Sequence, residues 1–183
     1  METIQNKLAE LAARPSDINE HLINLRNHAQ GCEHITEMGV RNVVSTWAWL
    51  AAGPKKLVAV DFVDCPVEEI RQAANDAGIE FEFHHRDTLD PEFDIEETDF
   101  LFIDTLHTYT QLNAELKRFG NKVRKFIAFH DTVSFAHSNE HGFESEFRGL
   151  RPAIEQFLAA NPQWTLLVSY EHNNGVMVIQ KTA

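Results

Sequence analysis

Two short segments of the chain bring carboxylates and imidazoles together. The first runs Phe102-Ile103-Asp104-Thr105-Leu106-His107-Thr108-Tyr109; it leaves an apolar run and enters a helical pattern. Asp104 and His107 are three positions apart, so a helical turn would aim both into one cavity. The second, Ala128-Phe129-His130-Asp131-Thr132, closes another apolar run. If the two runs form neighbouring strands, the pairs meet. Two carboxylates and an imidazole among them could then hold one divalent cation. Oxygen-rich ligation favours Mg²⁺, Ca²⁺ or Mn²⁺, and an added imidazole moves the preference toward Mn²⁺, Fe²⁺ or Zn²⁺. A metal there could polarise a substrate hydroxyl whose proton His107 accepts, since histidine titrates near neutrality. The plainer alternative is that Asp104 contacts only a cofactor while His130 and Asp131 cap the following loop.

A second set of polar residues ends other apolar runs: Glu37-Met38-Gly39, Asp61-Phe62 and, just past a third run, Asp87. Gly39 would permit a tight turn and close backbone approach to a ligand. Ser45 and Thr46 open or flank a helix whose first amides favour a carboxylate. Asp61 could accept both hydroxyls of a ribose, and Phe62 could offer a flat face to adenine. No G-x-G-x-x-G is present for pyrophosphate, and no G-x-x-x-x-G-K-[ST], which disfavours dinucleotides and a P-loop.

These residues need strands to carry them to one edge. Strands are expected at 34–38, 56–62, 80–84, 100–104, 125–130, 164–170 and 176–180, and helices at 44–52, 66–77, 109–119 and 150–160. Alternating strands and helices predict a parallel sheet. Asn174-Gly175 between the last two strands predicts an antiparallel hairpin. The fold class is therefore α/β: Rossmann-like, doubly wound, with a mostly parallel seven-stranded sheet and a C-terminal hairpin. In such a sheet ligands sit beyond the carboxyl ends of the strands. Residues 1–183 read as one domain with an N-terminal helical extension over 1–31. Ile4, Leu8, Leu11 and Ala12 share one face, Pro15 breaks the run, and Ser16 can cap a second helix with Ile18, Leu22, Ile23 and Leu25 turned inward. The polar loop 134–146, with His137 and His141, could be a lid. Trp47 and Trp49 read as packing residues. Lys117, Arg118, Lys122, Arg124 and Lys125 read as a solvated face.

The composition narrows the partners. A net charge of −12 argues against a nucleic-acid backbone or an anionic membrane as partner. No stretch approaches the roughly 20 apolar residues that span a bilayer. The N-terminus lacks a signal-peptide pattern. Two cysteines, Cys32 and Cys65, form no metal or disulfide pattern, so a cytoplasmic location is expected.

Glu37-Met38-Gly39-Val40 with Ser45-Thr46, Val58-Ala59-Val60-Asp61, Phe102-Ile103-Asp104 with His107 and Tyr109, and Ala128-Phe129-His130-Asp131-Thr132 together resemble class I S-adenosylmethionine (SAM)-dependent methyltransferases. More narrowly, they look like the small branch of metal-dependent sugar O-methyltransferases and cephalosporin hydroxylase-like proteins. The resemblance spans residues 33–180. It implies that Glu37 and Gly39 contact the methionine end of SAM, that Asp61 holds the ribose, and that Asp87 lies near the adenine. It also implies a divalent cation, Mg²⁺ or Mn²⁺, at Asp104, His130 and Asp131, with His107 as proton acceptor. The expected acceptor is a small-molecule hydroxyl, of a sugar or a phenol; a homo-oligomer is possible through the N-terminal helices. Two departures stand out: Val43 occupies a position where relatives carry glycine, and His130 one where they commonly carry an acid. Competing readings are a metal-dependent hydroxylase or hydrolase on the same fold, and a non-catalytic SAM-binding domain.

Overall fold

The computed structural model of the protein describes residues 2–143 and 147–182. Helices α1 (Glu2–Ala13) and α2 (Leu22–Ala29) precede β1 (His34–Met38), α3 (Thr46–Ala52), β2 (Lys56–Asp61), α4 (Glu68–Ala77) and β3 (Glu80–His85). Then come β4 (Thr98–Ile103), α5 (Tyr109–Phe119), β5 (Val123–His130), α6 (Leu150–Ala160), β6 (Trp164–Tyr170) and β7 (Val176–Lys181). The seven strands form one sheet in the order β3-β2-β1-β4-β5-β7-β6. The first five pair in parallel, and β7 runs antiparallel to both β5 and β6. This is the expected Rossmann-like α/β architecture, with the direction of strand progression reversing between β1 and β4.

Period-two alternation sorts the strands' side chains between two cores. In β4, Phe100 and Phe102 pack with α1, α2, α3 and α4, while Leu101 and Ile103 pack with α5 and α6. The N-terminal helices belong to the first core: Ile4, Leu8, Leu22 and Leu25 are at most 2% exposed.

The second helix departs from expectation. A three-residue 3₁₀ turn, Asn19–His21, precedes α2, and Ser16 caps neither; its Oγ accepts from the Ile18 amide at 3.4 Å. The shift in phase leaves Ile23 exposed. Arg118, expected on a solvated face, instead donates to the carbonyls of Thr88 and Asp90 and pins the loop after β3. Trp49 packs on Phe100 and Phe102 as a core residue.

Among the described residues no helix is long and apolar enough to cross a membrane.

Candidate active site

The carboxyl ends of β4 and β5 lie side by side, which places Asp104 and His107 against His130 and Asp131. Thr108 sets the first pair: its side chain accepts from the Gln111 amide and caps α5, so His107 sits on the approach to the helix. Asp131 turns the chain after β5 in a left-handed conformation, φ +58°.

The four side chains form a closed box. His107 Nε2 lies 3.3 Å from Asp104 Oδ1 and 3.0 Å from Asp131 Oδ2. His130 Nδ1 lies 3.2 Å from Asp104 Oδ2 and 3.3 Å from Asp131 Oδ2. The opposite nitrogen of each ring is held from outside: His107 Nδ1 donates to Glu140 Oε2 at 3.0 Å, and His130 Nε2 donates to the Asp17 carbonyl at 3.0 Å. Burial works against charge on both imidazoles, but the hydrogen bonds and negative charge of Asp104 and Asp131 outweigh it and push both up to about 10. Burial likewise opposes ionisation of the two carboxylates, yet the imidazoles hold both below the usual range.

The donor set fits a divalent cation. The outer hydrogen bonds leave each ring's inner nitrogen facing carboxylate oxygens, which only accept, so a proton or a cation must lie between. Ligand atoms of Asp104, His107 and Asp131, a set that contains His107 and not His130, lie within 4.8 Å of one another. Asp131 Oδ1 is buried and has no hydrogen-bond partner. His130, assigned to the cation by resemblance, meets the same two carboxylates but is 1% exposed, whereas His107 is 16% exposed and reaches the surface of the site.

Beside the box, at the switch between β1 and β4, lies a cleft of about 360 Å³ including its open mouth, bordered by Gly39, Val40, Arg41, Ser45, Asp17 and Asp104. Asp104 also borders the smaller hollow at His107 and His130, so it is the wall the two share. Gly39 has φ +87°, and a Cβ there would meet the Asp104 carbonyl oxygen at 1.9 Å. Its glycine character serves the approach of β1 to β4.

Several expected cofactor contacts sit differently. Glu37 is fully buried, accepting from Ser45 Oγ at 2.5 Å, Thr46 Oγ1 at 2.7 Å and Trp49 Nε1 at 2.8 Å. Burial raises its carboxyl to about 7, against the opposing pull of those three donors. Ser45 and Thr46 therefore turn inward. Asp61, 5% exposed, accepts from the amides of Val40 (2.7 Å), Arg41 (3.0 Å) and Val63 (3.0 Å). It holds the loop after β1 in a shape where Arg41 and Val43 have φ +45° and +56°. Val43 thus adopts the backbone that glycine takes readily and a β-branched residue rarely does. Phe62 is 74% exposed, and Asp87 is exposed with Oδ1 accepting from the Leu89 amide.

Glu140 was missed by sequence reasoning. Its amide donates to the His107 carbonyl at 2.9 Å while its carboxylate takes the ring. Thirty-three residues and an irregular loop separate the two, so no periodicity links them. Phe135 from the same loop stacks on His107 at 4.6 Å and 4°. Part of the expected lid, residues 144–146, lies outside the described residues; its earlier half packs on the box, with His137 and His141 exposed.

No protein-family model and no curated sequence relative matches the chain. Solved structures do. The chain is similar to a 1,6-didemethyltoxoflavin-N1-methyltransferase of Burkholderia thailandensis bound to S-adenosylhomocysteine (18% identity, 92% of this chain and 79% of that one, TM-score 0.64). It is similar to an O-methyltransferase of Bacillus cereus in complex with S-adenosylhomocysteine (17%, 99% and 91%, 0.63). It is also similar to a methyltransferase of Podospora anserina bound to the same product (13%, 100% and 89%, 0.60). At these identities the likeness is one of fold.

Proposed function

We propose that this protein is a SAM-dependent methyltransferase that methylates a small-molecule hydroxyl with the help of a divalent cation. The observation that carries the reading is that Asp104 is the common wall of the switch-point cleft and of the hollow at His107 and His130. A donor seated in the cleft and an acceptor at the box would be neighbours. The fold and the bound product of the similar structures support the choice of donor.

Bound SAM supplies a methyl group on a sulfonium, poised for in-line displacement by an acceptor oxygen. Phe62 and Asp87 offer an exposed ring and a carboxylate for the adenine. Gly39, Val40 and Ser45 line the donor cleft. Glu37 and Asp61 act from beneath, fixing the loop's shape. Asp104, His130 and Asp131 would hold a divalent cation, which would supply positive charge that favours the ionised acceptor. His107, its ring aimed by Glu140 and Phe135, would take the acceptor's proton. His130, being sealed, suits a fixed ligand; His107, reaching the surface, suits proton transfer.

Isothermal titration of the full chain with S-adenosylhomocysteine, with and without Mn²⁺, tests this. Saturable binding of both is expected, with His107→Ala retaining Mn²⁺ and Asp131→Asn losing it. No heat with S-adenosylhomocysteine under either condition contradicts the proposal. A second reading, a metal-dependent hydroxylase or hydrolase without SAM, draws on the internal engagement of both Glu37 and Asp61. Tightly bound iron in the purified protein would favour it.

A further inference from the structure

We propose that Asp17 and Arg41 form the seat of the cofactor's amino-acid end, Asp17 taking its ammonium and Arg41 its carboxylate. This rests on the SAM reading and adds residues to it. The methionine end of that cofactor is a zwitterion and needs one charge of each sign. Glu37 cannot serve it as folded: it is fully buried and its oxygens already accept three hydrogen bonds. Of the ionic side chains bordering the cleft, Asp104 is engaged by two imidazoles. Asp17 and Arg41 remain.

Both line the cleft and pair with each other there, Arg41 Nη1 lying 3.3 Å from Asp17 Oδ2 with the side chains 66% and 43% exposed. An exposed pair of this kind is worth only about 0–1 kcal/mol, so opening it costs little. A zwitterion entering between the two replaces one ion pair with two of the right polarity.

Both backbones are fixed while the side chains, paired only with each other, stay exposed, which is preorganisation for a ligand. Asp17 is tied through its own carbonyl to His130 Nε2 at 3.0 Å and through the Ser16 carbonyl to Asn173 Nδ2 at 2.9 Å, with Ile18 buried beside it. Arg41 is tied through its amide to Asp61. The bond from Asp17 to His130 also sets the seat at a fixed offset from the box.

The test compares S-adenosylhomocysteine with 5′-methylthioadenosine, which keeps the nucleoside and sulfur but lacks both charges. Titrations use the full chain, wild type, Arg41→Gln, Asp17→Asn and Arg41→Lys. Each of the first two substitutions should weaken S-adenosylhomocysteine about tenfold and leave methylthioadenosine unchanged, because only charge-assisted hydrogen bonds are lost. Arg41→Lys should recover part of the loss. Unchanged affinity for S-adenosylhomocysteine in both variants overturns the inference. So does an equal loss for both ligands, which would make the residues mere loop supports. If the wild type binds neither ligand, the cofactor reading itself fails and takes the inference with it.

Discussion

His107 and His130 each spend one ring nitrogen on a partner outside the box and turn the other to Asp104 and Asp131, so the outer partners decide where the inner lone pairs point. If the proposed methyl transfer runs through His107, Glu140→Ala should therefore lower its kcat by about 10–100-fold, the range known for outer partners that orient metal-ligating histidines. Because the Glu140 side chain is 41% exposed, the melting temperature should hardly move. Glu37 makes a different prediction. Its carboxyl is raised from 4.5 to about 7, so its contribution to stability is complete below pH 4.5 and is lost as pH rises through about 7. Urea unfolding at pH 5 and pH 8 should show a drop that Glu37→Gln reduces by roughly 3 kcal/mol; equal drops in both proteins would remove Glu37 as the cause. Asp104, His107, His130 and Asp131 were legible in the sequence because each pair follows a short apolar run that reads as a strand. The direction of Glu37 was not. All five residues of β1 are buried, so alternation gives no outward face, and its donors lie eight, nine and twelve residues on.

The strands and the α5 and α6 helices stand within a few residues of where apolar runs and turn residues put them, since each is bounded by its own local signals. The N-terminal segment was legible only in part. Its 3₁₀ turn depends on tertiary partners: His21, fully buried, reaches the carbonyls of His172 and Asn173 in the hairpin turn. The apolar side chains of these helices form part of one core. Leu22→Ala, at a site with no exposure, should cost about 2–5 kcal/mol in urea unfolding. A cost under about 1 kcal/mol would show the segment to be an appendage. The meeting of β1 and β4 is tighter still. Gly39→Ala must place a methyl against the Asp104 carbonyl and strain a backbone at φ +87°, so a loss of at least about 3 kcal/mol is expected. A stable, folded Gly39→Ala protein would mean that the two strand ends are not held as closely as described.

Across the whole molecule, the sheet order gathers residues from the ends of β1, β2, β4 and β5 onto one rim, and the N-terminal segment and the 131–143 loop close over it. What sequence could not supply was which rim residues face the cleft and which are spent on the protein itself; that depends on how the loop after β1 folds onto Asp61. The account stands on that rim being where the nucleoside cofactor binds. Backbone amide NMR of the full chain titrated with S-adenosylhomocysteine reads this directly. Saturable shifts should concentrate at residues 39–45, 61–63, 87 and 104–107 and spare β6. Absence of any shift at millimolar ligand, or shifts confined to the far side of the sheet, would contradict it.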